Sequence, residues 1–405
     1  MVPKLRFKSY KDKWNLDYLK KLIVSLDAGV SVNSLDESPD ENEFSILKTS
    51  CVSLGYFNDM ERKKVIADEE VARLKERLIS DSILISRMNT PLLVGANAYI
   101  NSAPKNTFVP DRLWQVKINK DVCNMQWLAC FLSSDKGRSL LREQASGTSN
   151  SMKNITKNDV FQIEICYPSK EEQTKIADFL SSVDKKLMLL NKQYDLLCQY
   201  KKGMMQKIFS QELRFKDENG EAFPEWKFIN AGKIFKNSSN KKHNGDLPVL
   251  AVTQENGVVK RDDINIDIKS SQSSINSYKI IEKGDFVISL RSFQGGIEYS
   301  FIKGICSPAY TILKNIKPIV GDFYRFYLKK ESFIEELSQT VVGIRDGKQI
   351  SYQAFATLSL PSPCLTEQEK IANVLSAIDC KITSKKAELD KLKTWKQGLL
   401  QQMFV

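Results

Sequence analysis

Residues 172–209 read EQTKIADFLSSVDKKLMLLNKQYDLLCQYKKGMMQKIF, and residues 367–404 read EQEKIANVLSAIDCKITSKKAELDKLKTWKQGLLQQMF. Aligned without a gap at an offset of 195, the two stretches agree at 15 of 38 positions, so the chain carries an internal duplication. In the first copy Ile176, Leu180, Val183, Leu187, Leu190, Tyr194, Leu197, Lys201, Met204 and Ile208 step alternately by four and three. Ile371, Leu375, Ile378, Ile382, Lys385, Leu389, Leu392, Lys396, Leu399 and Met403 repeat that register, which is the seam of a coiled coil interrupted by lysines. A helix of that length spans about 57 Å and has to pack on another long helix. The economical partner is the other copy; the alternative is that each stripe packs on its own domain. Gly203 and Gly398 flank the equivalent Lys201 and Lys396, where a bend or an end to the tight packing is expected in both copies.

Both helix starts are punctuated in the same way. Pro168 precedes one, Pro361 and Pro363 the other, and Ser169 with Glu172 or Thr366 with Glu369 has the spacing of a capping box. Upstream of each helix lies a β-rich region with shared landmarks. Leu5-Arg6-Phe7 and Trp14 answer to Leu213-Arg214-Phe215 and Trp226. Asp81 to Arg87 answers to Gly284 to Arg291, a turn and a buried strand ending at an arginine. Polar glycine loops at 147–154 and 343–349 lead through Ile155 and Ile350 into an expected alternating strand. Small helices are expected at 66–79, 124–144 and 321–339. The fold class is α+β, divided as 1–168, 169–210, 211–364 and 365–405: a β-rich domain and a long helix, twice.

At 405 residues the chain is long enough for two cores. Sixty Lys and Arg against 49 Asp and Glu give a net charge of +11, which favours a polyanionic partner without specifying one. The eight cysteines are dispersed, without zinc-site spacing, and fit a reducing cytoplasm. The charged start of the sequence and the absence of a long apolar run lead us to expect a cytoplasmic protein with no membrane partner. His243 is the only histidine and lies in a polar stretch, so histidine-based acid–base or metal chemistry is nearly excluded.

Other motifs fail on inspection. Gly343 to Lys348 is one residue short of a phosphate loop and lacks its Ser or Thr. Ser307-Pro308-Ala309-Tyr310 reads as a turn into a strand. Pro110-Asp111 with Gln115 and Lys117 has glutamine where a nuclease needs a second metal-binding acid. No catalytic constellation emerges and no cofactor or metal is expected on this chain. What remains are Lys, Arg, Asn and Gln in glycine-punctuated loops, residue types that grip phosphates and read guanine or adenine edges. The candidates are Arg87, Asn89, Asn101, Lys105 and Lys153 in the first unit, and Lys241, Lys242, Arg291, Gln294, Arg345 and Lys348 in the second.

With the duplicated Pro-x(n)-EQxKIA junction, the GDFVIS strand and the SPAY turn, the sequence resembles the specificity subunits of type I restriction-modification systems over essentially its whole length. The first unit departs from the pattern in lacking an SPAY-like turn. The resemblance implies two target-recognition domains in pseudo-twofold tandem repeat, separated by two long antiparallel coiled-coil helices, each domain reading one half of a bipartite, asymmetric sequence in double-stranded DNA. It also implies docking of two methyltransferase subunits, with endonuclease and translocase subunits joining them, and a chain with no catalysis of its own. AdoMet, ATP and magnesium then belong to those partner subunits. A non-catalytic coiled-coil adaptor with two peptide- or protein-binding modules is the alternative from another class.

Overall fold

The computed structural model describes residues 2–53, 55–147, 152–254, 256–264, 275–290, 292–340 and 350–405. The chain forms two compact units, Met1–Asn191 with Ala387–Val405, and Lys192–Lys386, so each long helix gives one part to each unit.

In the first unit the longer strands are β1 (Asn15–Tyr18), β2 (Ile23–Asp27), β3 (Ser82–Ser86), β4 (Asn97–Ile100), β5 (Leu113–Ile118) and β6 (Glu164–Tyr167). The helices that frame the site are α1 (Met125–Ser133), α2 (Asp135–Glu143), α3 (Lys157–Phe161) and the start of α4 (Lys170–Phe209). Four strands form an antiparallel sheet in the order β2-β5-β3-β4, and β1 pairs separately with β6. The run Ile83-Leu84-Ile85 is buried throughout because the sheet is covered on both faces. Ile83 and Ile85 enter the core with Trp14, Trp127 and Phe131, while Leu84 points into a second cluster with Leu47 and Ala98.

The second unit repeats this plan. The elements that frame its site include β7 (Lys227–Asn230), β8 (Phe235–Ser238), the hairpin β9 (Leu250–Thr253) and β10 (Gly257–Lys260), β11 (Phe286–Ile288), β12 (Glu298–Tyr299), β13 (Thr311–Asn315), α5 (Gly321–Tyr327), α6 (Glu331–Gln339), α7 (Tyr352–Thr357), β14 (Ser359–Ser362) and α8 (Leu365–Met403). The sheet order is β8-β13-β11-β12 and β7 pairs with β14, matching the first unit strand for strand. Phe286 and Ile288 face one core and Val287 the other, the same alternation as Ile83, Ile85 and Leu84.

Several expectations are corrected. The helices expected at 124–144 and 321–339 are each two, divided at the N-caps Ser134 and Lys330, and the one at 66–79 is only Asp68–Arg73. After Ile155 and Ile350 comes a short helix rather than a strand: Thr156 and Asp159 form a capping box on α3, and Ser351 caps α7. The Thr366–Glu369 box does not form, because α8 starts at Leu365 and the residue ahead of it, equivalent to Ser169, is Cys364. Both long helices run unbroken through Gly203 and Gly398.

The Glu-Gln pair at each helix start fixes the helix to its unit. Glu172 is buried and receives both prongs of Arg6 at 2.7 Å, while Glu367 is held by Arg214 at 2.9–3.2 Å and by the Trp226 indole N–H at 2.9 Å. The Gln173 amide donates to the Pro168 carbonyl at 3.0 Å, and its oxygen accepts the N–H of Asn124, the N-cap of α1, at 2.8 Å. Gln368 does the same with Pro363 and with Val320, the N-cap of α5, at 2.9 Å each. A buried carboxylate is tolerated only when paired and hydrogen-bonded, which accounts for Arg6 and Arg214 at the head of each unit.

The seam residues serve the domain core and the facing helix at once. In the first unit Ile176, Leu180 and Val183 share a core with Leu399, Met403 and Phe404, with Leu187 and Leu392 packed against it. In the second, Ile371, Leu375 and Ile378 share one with Ile208 and Phe209, with Ile382 and Met204 alongside. Leu190 and Leu389 are buried and Leu197 half-buried. The seam lysines meet equivalent aspartates: Lys396 pairs with Asp184 at 2.5 Å in the first unit, and Lys201 with Asp379 at 2.6 Å in the second. Lys386 also lies over the Tyr194 ring at 5.7 Å. From Tyr194 to Lys201 the partner position falls back from Lys386 to Asp379, so the two helix segments of that unit are antiparallel. These half-exposed pairs add at most about 1 kcal/mol each and serve to fix the register.

Candidate nucleic-acid interface

Strand register decides which candidate readers can act together. β3 ends at Ser86, opposite Leu113 at the start of β5, and β2 ends at Asp27, beside Gln115. Arg87 therefore leaves the sheet at the β2-end, β5-start edge. The two-residue strands Met88–Asn89 and Lys153–Asn154 pair there, setting Lys153 opposite Asn89 and bringing Arg87, Asn89 and Lys153 together. Asn101 follows Ile100, which pairs with Ser82 at the other end of β3, so Asn101 and Lys105 lie at the opposite edge of the sheet. Lys105 is ion-paired with Glu41 at 3.1 Å and both are well exposed.

The side chains in the first group are tied to their own loops. The Arg87 guanidinium lies 5.6 Å from the Trp114 ring centre, a cation–π arrangement. Asn89 donates to Ser86 Oγ at 3.2 Å and accepts from the Thr90 N–H at 2.9 Å, and Lys153 Nζ donates to the Gly147 carbonyl at 2.6 Å. Among the described residues Arg87 Nε, Trp114 Nε1 and Asn154 Oδ1 are buried without a hydrogen-bond partner, which leaves polar capacity at this edge. Residues 148–151 of the glycine loop lie outside the described residues.

In the second unit the equivalent edge is where β8 ends, β13 begins and β11 ends, because Ser238 pairs with Ile312 and Ile288 with Thr311. Lys241 and Lys242 follow β8 and are exposed; Gln294 sits in the single turn Ser292–Gly295 that follows β11. Arg291, Arg345 and Lys348 lie outside the described residues. Two residues not singled out from the sequence join this edge. Gln254, on the β9–β10 hairpin, donates to Gln294 Oε1 at 3.5 Å, and the Asn256-Gly257 pair, with Gly257 at φ +66°, is the turn signal that marks its position. Lys279 donates to the Tyr310 carbonyl of the SPAY turn at 2.7 Å; burial lowers its pKa and the charge of Lys241 lowers it further. The lone histidine is structural: His243 Nδ1 accepts from the Gly245 N–H and Nε2 faces the Tyr278 carbonyl at 3.0 Å.

Of the nuclease-like set, Gln115 is fully buried and its amide binds Glu76 and the Arg77 carbonyl, while Lys117 pairs with Asp27 at 2.7 Å. Among the described residues no group of three His, Cys, Asp or Glu is placed to hold a metal ion, and no helix is long and apolar enough to cross a membrane.

A second feature recurs in both units. A cleft of about 410 Å³ in the second is lined by Cys198, Lys201, Lys202, Met205 and Gln206 of α4 and by the start of α6. A cleft of about 500 Å³ in the first is lined by Lys393, Lys396, Gln397, Leu400 and Gln401 of α8 and by the start of α2. At the offset of 195 the helix residues correspond one for one.

The family model for the type I restriction modification DNA specificity domain matches twice, over residues 45–197 and 227–394. The chain belongs to this type I DNA specificity family. A putative type I restriction enzyme MjaX specificity subunit of Methanocaldococcus jannaschii is 26% identical over 412 residues, covering 96% of this chain and 92% of the relative. The type I restriction enzyme MjaVIII specificity subunit of the same organism is 29% identical over 310 residues, 70% of this chain and 71% of the relative. Among solved structures, a type I restriction-modification S subunit from M. genitalium superposes with a TM-score of 0.62 at 18% identity, covering 100% of this chain and 99% of that one, a likeness of fold. In this specificity subunit the two family matches fall on the two units with the same sheet order.

Proposed function

We propose that this specificity subunit reads a bipartite, asymmetric DNA target, one half per unit, and directs two adenine methyltransferase subunits and ATP-dependent endonuclease subunits to it. The observation that carries the reading is selective repetition. Sheet order, Arg–Glu lock, seam ion pair and cleft recur in both units, whereas the loops at the equivalent sheet edge differ in length and residue type. A shared scaffold with two different edges suits two different half-sites. The twin clefts suit two copies of one partner, the methyltransferase. AdoMet, ATP and magnesium act on the partner subunits, and this chain supplies the choice of DNA sequence.

The test is co-expression with the cognate methyltransferase subunit followed by single-molecule mapping of methylated adenines. A two-part motif is expected, and exchanging residues 1–168 for those of another family member should change one half of it. A change in both halves, or in neither, would sink the proposal. Binding of the chain alone to random duplex should weaken steeply with salt, as counterion release requires; an adaptor for peptides would show no such slope.

A further inference from the structure

In each unit a polar side chain, buried in the first and half-buried in the second, holds the backbone carbonyl of a glycine just ahead of the sheet's edge strand, and the two units use different chemistry to do so. In the first, Asn97, which is 1% exposed, donates to the Gly95 carbonyl at 3.3 Å and to the Leu132 carbonyl at 2.9 Å, and its own oxygen accepts from Ser133 Oγ at 2.8 Å. In the second, Lys329 Nζ donates to the Gly295 carbonyl at 2.9 Å and is ion-paired with Glu298, which is 6% exposed. The sites are equivalent by register. Ala98 faces Leu84 and Glu298 faces Val287, and each glycine stands three residues ahead of that strand position. Ser133 and Lys329 each immediately precede the N-cap of the second small helix, Ser134 and Lys330.

The scaffold itself does not need the charged pair, since the first unit places Ala98, fully buried, where the second places Glu298. Burial of the Glu298 carboxylate carries a desolvation cost that the half-buried Lys329 offsets only in part, so an apolar or neutral solution would serve stability at least as well. What differs is the loop being held. In the first unit it is Thr90 to Gly95, following Asn89. In the second it is Ser292 to Gly296, carrying Gln294. A Cβ at Gly295 would lie 2.9 Å from Gln254 Cγ, so the held carbonyl belongs to the residue against which the hairpin glutamine rests.

We infer that Asn97 with Ser133, and Lys329 with Glu298, are positioning residues that set the two target-reading loops, each fixing the recognition of one half-site. This rests on the reading of the chain as a two-unit DNA reader. Neither pair touches DNA; each fixes the path of the backbone that carries Asn89, or Gln294 and Gln254.

The test transplants the first unit's residues into the second. In the holoenzyme, Glu298→Ala with Lys329→Ser removes both charges together and should leave the unfolding midpoint close to wild type. Discrimination against single mismatches should fall about tenfold in the half-site read by the second unit and stay unchanged in the other. Asn97→Ser repeats the test on the neutral network and should relax only the opposite half-site. The inference is overturned if a folded variant keeps full discrimination, or if either change relaxes both halves. Should the double variant fail to fold, Asn97→Ser decides alone. Absence of a two-part motif in the wild-type complex would instead sink the proposed function, so the two failures are distinguishable.

Discussion

Replacing Arg214 by Met isolates the lock that ties a long helix to its unit. Glu367 has no exposed side-chain surface, and among the described residues Arg214 and Trp226 satisfy its carboxylate. Without the guanidinium the charge stays buried with one indole N–H, a loss of about 3–5 kcal/mol. Arg214 also donates to the carbonyls of Phe223 and Pro224 at 3.3 and 2.8 Å, and those bonds go too. Adding Glu367→Leu removes the stranded charge and should recover about 2–3 kcal/mol, leaving about 1–2 kcal/mol for the lost carbonyl bonds and repacking. For a unit of this size the single change corresponds to a fall in Tm of roughly 6–20 °C. Urea unfolding followed by calorimetry measures both variants. A loss below about 1 kcal/mol for Arg214→Met, or a double variant no more stable than the single, would refute the claim that a buried charge pair holds the helix.

Trp226→Phe should cost about 1.5–3 kcal/mol more than Trp14→Phe, because the Trp226 indole N–H serves a carboxylate while that of Trp14 is buried without a partner among the described residues; equal losses in urea titrations would contradict this. Phe404→Ala should cost about 3–5 kcal/mol in the first unit, where the ring lies 6.0 Å from Trp127 and 5.9 Å from Phe131, and hydrogen exchange should show the loosening there and not around Phe323. Burial holds the Glu298 carboxyl above its ordinary range despite the opposing pull of Lys329. The native state thus binds that proton more tightly than the unfolded chain, and this contribution to stability falls as pH rises from the ordinary carboxylate range through the raised native value; Glu298→Gln should flatten that part of the urea-midpoint profile. On the proposed function, seven residues added to α4 after Asn191 and seven to α8 after Lys386 preserve the helical face and add about 10 Å of helix, so the unread spacer in the methylated motif should grow by about 3 bp with both half-sites unchanged.

The duplication, the α+β class and the long helices could be read from sequence because they rest on local periodicity and identity over 38 positions. The Arg–Glu locks were half legible: Arg6, Arg214, Glu172 and Glu367 all stood in repeated motifs, but nothing local says that residues more than 150 apart pair. Thr156 and Ser351 were missed as caps because the alternating residues after Ile155 and Ile350 gave a competing strand pattern, whereas the sequence Thr-x-x-Asp at 156–159 carries the capping signal. Among the candidate readers, residue type alone could not separate Arg87, Asn89 and Lys153 from Asn101 and Lys105. That division depends on which end of a strand each follows, and so on pairing register. Lys329 and Glu298 were invisible for a related reason, since a charged residue beside a strand reads as solvent-facing until the helix that covers it is known.

The membership of α8 in both units has a consequence for biosynthesis. Residues 192–386 form a contiguous unit, whereas the core of the other contains Leu399, Met403 and Phe404, 268 to 273 residues downstream of Phe131. A ribosome therefore delivers everything the middle unit needs before it delivers the last part of the unit that began first. Until α8 emerges, the partly made first unit presents Trp127 and Phe131 without the Phe404 ring, an apolar face open to chaperones and proteases. A premature stop near residue 390 would then spare the middle unit and abolish the one encoded farthest from the lesion.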